Sequence, residues 1–112
     1  MRVGIAASVI AVCLASPPAV VAAPMPLGLH APAWWLPQAV CVHEHEGAWN
    51  DNTGNGYYGG MQFTLGTWRS VGGSGQPDRA TPREQLYRAW LVWKRDGGSW
   101  REWSSRIPCG LR

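Results

Sequence analysis

The sequence lacks any apolar run long enough to cross a bilayer as a stable helix. Its best candidate, Val3 to Ala15, is shorter than the roughly 20 apolar residues that a spanning helix needs. The sequence also lacks a cluster of lysine and arginine residues, an internal repeat and a low-complexity tract. We therefore expect neither stable membrane insertion nor nucleic-acid binding, and the 112 residues fit one domain.

The N-terminus has the features of a secretory signal. Arg2 supplies a positive charge, the apolar run from Val3 follows, and residues 21–23 offer small side chains for cleavage. We predict a signal peptide over 1–23 and secretion to the cell wall or the medium. An uncleaved anchor is the alternative, because Pro24 is an awkward residue to cut before.

Cysteine is scarce, which limits the covalent cross-links that the chain can form. Of three cysteines, Cys13 lies in the predicted signal, so Cys41 and Cys109 remain. An even pair in a small exported domain is typical of a disulfide. Two unpaired buried thiols are the alternative, which an oxidising compartment disfavours.

The part of the chain after the signal is rich in tryptophan and nearly balanced in charge. Residues 24–33, rich in proline, glycine and alanine, are predicted to be a flexible leader, and 34–112 to be the domain. Without Arg2, nine of the ten basic residues remain against seven acidic ones, which favours an acidic polymer as partner. The eight tryptophans can stack on sugar rings, but packing is the expected role for any single one.

The first predicted helix brings a carboxylate to the end of an apolar stripe. It begins near Pro37, which suits the first helical turn, and Gly47 can end it. Ala39, Val42 and Glu46 fall on one stripe at helical spacing.

The sequence after the first helix predicts one glycine-rich lobe and two more helices. Residues 49–63 combine Asn-Gly and Gly-Gly turn signals with aromatics, which favours a small hairpin or an irregular β-like lobe. Thr64 is predicted to cap a short helix through Trp68. A longer helix over 82–96 follows Thr81 as cap, so the domain is mostly helical.

Two glutamates compete for the role of a general acid. A carboxyl group that is partly buried in a cleft holds its proton near neutral pH and can give it to a leaving oxygen. Glu44 and Glu46 lie about 200° apart on a helix, and only Glu46 continues the apolar stripe. For an isolated glutamate, a solvated charge at a helix end is the simpler explanation. His43 and His45 are likewise on opposite faces without a third ligand at metal spacing, so neither a metal nor a cofactor is predicted.

The run from Thr53 to Phe63 closely resembles the signature of resuscitation-promoting factors and related actinobacterial transglycosylase-like domains. It reads Thr-Gly-Asn-Gly-Tyr-Tyr-Gly-Gly-Met-Gln-Phe. The resemblance covers nearly all of the predicted domain, and its other matching positions are Cys41, Glu46, Trp49, Thr67, Trp68, residues 81–85, Trp103 and Cys109. It implies a small α+β domain of lysozyme-like fold, mostly helical, with a short glycine-rich β-like lobe and one disulfide.

The resemblance also implies cleavage of the bond between N-acetylmuramic acid and N-acetylglucosamine in peptidoglycan, with one catalytic glutamate. An ungapped match backwards from Trp49 puts Glu44 in the catalytic position, whereas a two-residue deletion puts Glu46 there. The Cys-x-x-x-x-Glu spacing of related sequences matches Cys41 to Glu46, and the helical stripe agrees. Glu46 is therefore the favoured catalytic residue.

Three residues of the signature match positions that face the sugar cleft in the family. Gln62 can bond the hydroxyl and acetamido groups of an aminosugar, and Thr53 and Tyr58 are further substrate-binding candidates. Gln62 as a polar residue at a strand end is the simpler explanation. Asp51 is the nearby second carboxylate, but its turn-like surroundings favour an Asx-turn.

These features predict a secreted enzyme that cleaves peptidoglycan, either a lytic transglycosylase or a muramidase. The alternative is a non-catalytic module on the same fold that binds cell-wall glycan or signals. We expect a monomer whose partner is the peptidoglycan glycan strand, and the sequence leaves open a cell-wall peptidase as a protein partner.

Overall fold

The computed structural model describes residues 25–112, so the predicted signal over 1–23 lies outside the described residues. This part of the chain is mostly helical, as predicted. Its helices are α1 (Leu36–Glu44), α2 (Leu65–Ser70) and α3 (Pro82–Arg95), with 3₁₀ turns at Pro77–Arg79 and Ser104–Arg106. None of the helices in 25–112 has the length and apolar character needed to cross a membrane.

Helix α1 buries the predicted stripe but ends earlier than predicted. Ala39 and Val42 are fully buried, and Glu46 is half-buried just beyond the helix. The His45 ring Nδ1 bonds the Cys41 carbonyl at 2.9 Å, the acceptor that the His45 N–H would use in a continuing helix. The His45 N–H instead reaches the Val42 carbonyl at 3.0 Å, which tightens the last turn and ends α1 at Glu44 instead of Gly47.

The two threonine caps are confirmed. Thr64 Oγ1 accepts a hydrogen bond from the Thr67 N–H at 3.2 Å, and Thr81 Oγ1 accepts one from the Glu84 N–H at 3.1 Å. The Glu84 carboxylate pairs with Arg88 at 3.1 Å one turn along α3. Each helix therefore begins where the sequence indicated.

The predicted β-like lobe contains almost no strand structure. Between α1 and α2 the described chain has two isolated antiparallel bridges, Asn52 with Tyr58 and Tyr58 with Phe63. Positive φ angles at Gly54 and Gly56 turn the chain between the bridge partners, so an extended ladder does not form. The lobe is a loop in which Tyr58 forms both β-bridges, and we call it the glycine-rich loop.

Tryptophan rings form much of the core. Trp35 is fully buried and stacks on Trp100, with ring centroids 5.0 Å apart. Trp68 packs edge-on against Phe63 at 5.2 Å. Trp34 is the exception, since 62% of it is exposed. Packing is thus the role of most of these rings.

The disulfide between Cys41 and Cys109 is confirmed, with Cα atoms 6.0 Å apart. It joins α1 to the C-terminal tail across 68 residues of sequence. At the other end, Ala31 is buried in the core and Arg83 donates a hydrogen bond to the Leu29 carbonyl. The division into a leader over 24–33 and a domain over 34–112 stays a prediction.

Replacing Cys41 and Cys109 together by serine should lower the free energy of unfolding by about 4 kcal/mol, because the unfolded chain regains the freedom of the long loop. Urea unfolding followed by tryptophan fluorescence measures the change. The reduced and alkylated parent should match the double variant. A loss below about 1 kcal/mol would contradict this loop-entropy account.

Candidate active site

An open cleft lies beside the end of α1. It has two adjoining compartments of about 260 and 280 Å³. Both are lined by Tyr57, Gln62, Glu102 and Trp103. One is completed by Glu46 and Ser104, and the other by Phe63, Thr64 and Thr67. The lining thus comes from the glycine-rich loop (residues 49–63), the start of α2, the end of α1 and the C-terminal tail that follows α3.

Glu46 is the carboxyl group that the end of α1 contributes to the cleft. Burial raises its pKa above the usual range, while a hydrogen bond from Ser105 and the nearby His45 oppose the rise. Ser105 Oγ donates that bond to Glu46 Oε2. Glu44 is exposed and does not line the cleft. The structure therefore sets the two competing glutamates in different environments.

Gln62 projects from the glycine-rich loop into both compartments. Its backbone has a φ of 50°, a left-handed conformation that is uncommon outside glycine. Its Nε2 donates to Asp51 Oδ2 at 2.8 Å and to the Gly59 carbonyl at 2.9 Å. Because both amide hydrogens are used within the protein, the amide oxygen is left as an acceptor for a bound molecule.

Gln85 of α3 holds this loop from beneath. Its side chain is fully buried, and Oε1 accepts from the Gly60 N–H at 2.8 Å. Its Nε2 donates to the Trp49 carbonyl at 2.9 Å and to the Ala80 carbonyl at 3.0 Å. A side chain at Gly60 would overlap the Trp49 ring, so only glycine fits there.

Two aromatic contacts complete the support of the loop. His43 stacks on Trp49 with ring centroids 3.7 Å apart, and its Nδ1 bonds the Gly60 carbonyl at 2.9 Å. Trp103 Nε1 donates to the Met61 carbonyl at 2.8 Å. The loop is thereby fastened both to α1 and to the tail.

The other predicted binding residues lie outside the cleft lining. Thr53 is exposed and Tyr58 is half-buried at its two bridges, while the neighbouring Tyr57 lines both compartments. The Asp51 carboxylate is engaged by Gln62 and also lies outside the lining. A role for Thr53 or Tyr58 in binding stays a prediction.

Sequence reasoning missed the tail residues that shape the site. Glu102 and Ser104 line the cleft, and Ser105 bonds Glu46. These residues belong to no periodic pattern, and the available signal was their position beside Trp103, one of the matching aromatics. Their approach to α1 depends on the closure by Cys109.

One group of potential metal ligands occurs in residues 25–112. The side-chain ligand atoms of Cys41, His45 and Cys109 lie within 4.8 Å of one another. Both sulfurs are joined in the disulfide, so neither is a thiolate that could bind a metal. His45 is a neighbour of the cross-link.

Comparison with known proteins finds one matching family model and several similar resuscitation-promoting factors. The model of the transglycosylase-like domain family matches residues 32–105. The resuscitation-promoting factor Rpf of Micrococcus luteus is 45% identical over 74 residues, covering 65% of this chain and 32% of that protein. Resuscitation-promoting factor RpfE of Mycobacterium tuberculosis is 43% identical over 93 residues, covering 73% of this chain and 52% of that protein.

The matched segment contains α1, the glycine-rich loop, α2, α3 and the tail as far as Ser105. The chain spans between about a third and half of the length of these relatives. The match to the family covers well over half of the chain. This protein therefore belongs to the resuscitation-promoting factor family of transglycosylase-like domains.

Proposed function

We propose that this protein is a secreted enzyme that cleaves peptidoglycan between N-acetylmuramic acid and N-acetylglucosamine, on a lysozyme-like fold, with Glu46 as its catalytic acid. The observation that carries the proposal is the half-buried Glu46 carboxyl in an open cleft, with a pKa raised by burial. A carboxyl that keeps its proton near neutral pH is the group that glycosidic cleavage requires.

In the proposed reaction one carboxyl group acts first as a general acid and then as a general base. Glu46 gives its proton to the glycosidic oxygen as the bond to the muramic C1 breaks. The Glu46 carboxylate then takes a proton from the C6 hydroxyl of the same sugar, whose oxygen attacks C1 and closes a 1,6-anhydro ring. Ser105 holds one carboxylate oxygen and keeps the group aimed at the cleft.

The cleft offers suitable contacts for an aminosugar. The Gln62 amide oxygen can accept a hydrogen bond from an acetamido N–H or a hydroxyl group. Tyr57 is 48% exposed and presents an aromatic surface to the apolar face of a sugar ring, beside Trp103. We assign Gln62, with Thr53 and Tyr58 as further candidates, to substrate binding.

Changing Glu46 to Gln should lower peptidoglycan cleavage by about 10²–10⁴-fold, because glutamine keeps the shape of the side chain but has no transferable proton. The matched control is Glu44→Gln, an exposed position outside the cleft, which should stay within a few-fold of the parent. Release of soluble muropeptides, measured by mass spectrometry, compares the three proteins, and thermal melts check folding.

An inactive Glu44→Gln together with an active Glu46→Gln would show that Glu44 is the catalytic residue, as the ungapped alignment implies. Full activity in both variants would show that neither glutamate is the catalytic acid. Glycan binding without cleavage in the parent would favour the binding or signalling module instead.

Changing Ser105 to Ala should move the high-pH fall of kcat/KM to higher pH. The Ser105 bond stabilises the charged carboxylate and lowers the pKa of Glu46, so its loss raises that pKa further. Since the acid works in its protonated form, activity then persists to higher pH. Ser105→Thr should restore the parent profile, and Ser104→Ala serves as the neighbouring control. An unchanged profile in Ser105→Ala would show that the bond does not affect the catalytic proton.

The products should carry 1,6-anhydro ends. The Asp51 carboxylate is engaged by Gln62 outside the cleft lining, and the raised pKa of Glu102, caused first by its hydrogen bond with Asp96, disfavours the charged form that would activate a water. Mass spectrometry separates anhydro from reducing ends by the mass of one water. A digest containing only reducing ends would identify the protein as a muramidase and overturn this prediction.

A further inference from the structure

The cleft contains a second carboxyl group that the reaction just described does not use. Glu102 lines both compartments, and its side chain is 34% exposed. Behind it, Asp96 caps the end of α3 and its side chain is only 4% exposed. The Arg95 guanidinium joins the two carboxyl groups, because its Nη2 lies 3.3 Å from Glu102 Oε2 and its Nε lies 3.8 Å from Asp96 Oδ1.

Asp96 has one oxygen that no N–H or hydroxyl group reaches. Its Oδ1 accepts from Arg101 at 3.2 Å, whereas its Oδ2 is buried and receives no hydrogen bond from such a donor. A buried acceptor without a donor is costly, and native structures rarely leave one. A proton on the neighbouring Glu102 carboxyl supplies that donor.

The surroundings of Glu102 favour this proton. The hydrogen bond to Asp96 raises the pKa of Glu102 most, and burial and the negative charge of Asp96 raise it further. Arg95, whose Nη2 lies 3.3 Å from Glu102 Oε2, opposes the rise. Glu102 therefore retains its proton to higher pH than an ordinary glutamate carboxyl.

We propose that Glu102 contacts the glycan in the cleft and that the proton it shares with Asp96 sets the affinity for acidic glycans. The inference rests on the proposed function, because it assumes that a peptidoglycan strand occupies this cleft. With the proton in place, Glu102 is a neutral hydrogen-bonding group on the cleft wall. Without it, a full negative charge faces the lactyl and stem-peptide carboxylates of the strand and repels them.

The other charged or titratable groups around Glu102 come from four segments. Arg95 lies at the end of α3, where it also donates to Ser70 Oγ of α2 at 2.8 Å. Arg101 belongs to the tail and pairs with Asp96. Across the shared cleft lining stand Glu46, after α1, and Tyr57, in the glycine-rich loop. Glu46 is the other carboxyl group of the lining, so the test is made without it.

The test measures glycan binding against pH in a Glu46→Gln background, which removes the second carboxyl of the lining and prevents turnover. The acidic probe is a labelled N-acetylglucosamine–N-acetylmuramic acid tetrasaccharide with free lactyl carboxylates. The neutral probe is the tetramer of N-acetylglucosamine. Affinity for the acidic probe should fall about five-fold as pH rises through the titration of Glu102, the size expected for one added charge at about 4 Å in water. The neutral probe should change little.

Three variants in the same background give the test its controls. Glu102→Gln should abolish the fall, and the exposed Glu44→Gln should retain it. Asp96→Asn should move the fall to lower pH, because Glu102 loses its charged neighbour. The carboxyl carbon-13 signal of Glu102, followed by NMR without glycan, should show the same displacement of its titration in Asp96→Asn.

The outcomes separate this inference from the proposed function. If the Glu46→Gln protein binds neither probe at any pH, the proposed function fails and the inference fails with it. If it binds and Glu102→Gln keeps the same pH dependence, the inference alone is overturned. A Glu102 signal that titrates identically in parent and Asp96→Asn would also overturn the shared proton.

Discussion

The buried side-chain amide of Gln85 is the interaction on which the geometry of the cleft depends. It joins three parts of the chain by hydrogen bonds to Gly60, Trp49 and Ala80. Each of these backbone groups would otherwise lack a partner in the interior, at a cost of about 1–3 kcal/mol per group. Since Gln62 is two residues from Gly60, the position of the Gln62 amide in the cleft follows from a residue that does not line the cleft.

A second constraint brings the tail to this loop. The disulfide joins Cys109 to α1, and Trp103 Nε1 bonds the Met61 carbonyl. Between these two attachments lies Ser105, which bonds Glu46. The catalytic carboxyl proposed here and its positioning hydroxyl therefore come from opposite ends of the domain, and long-range closure brings them together. A small, mostly helical domain is able to hold a defined cleft in this way.

Local patterns predicted the elements of the fold better than the site. The stripe of Ala39 and Val42 and the two threonine caps depend on neighbours within about one helical turn, so the sequence revealed them. The early end of α1 depends on the His45 side chain competing for a backbone acceptor, which apolar periodicity does not report. The sequence predicts more strand in the β-like lobe than the structure contains. Its glycines resemble the turns at hairpin ends, but in the structure they interrupt strand pairing. Glu102 and Ser105 stayed hidden because only tertiary closure brings them to the cleft.

Substitution of the glycines between Thr53 and Phe63 is restricted for two different physical reasons. Gly54 has a φ of 85° and open space around it, so handedness alone restricts the position. Asn and Asp tolerate that conformation, so either residue can replace Gly54 during evolution. Gly60 has no room for a β-carbon beside Trp49 and His43, whatever its conformation. Divergent homologues should therefore vary at the loop tip while replacing Gly60 only together with the aromatic ring that crowds it.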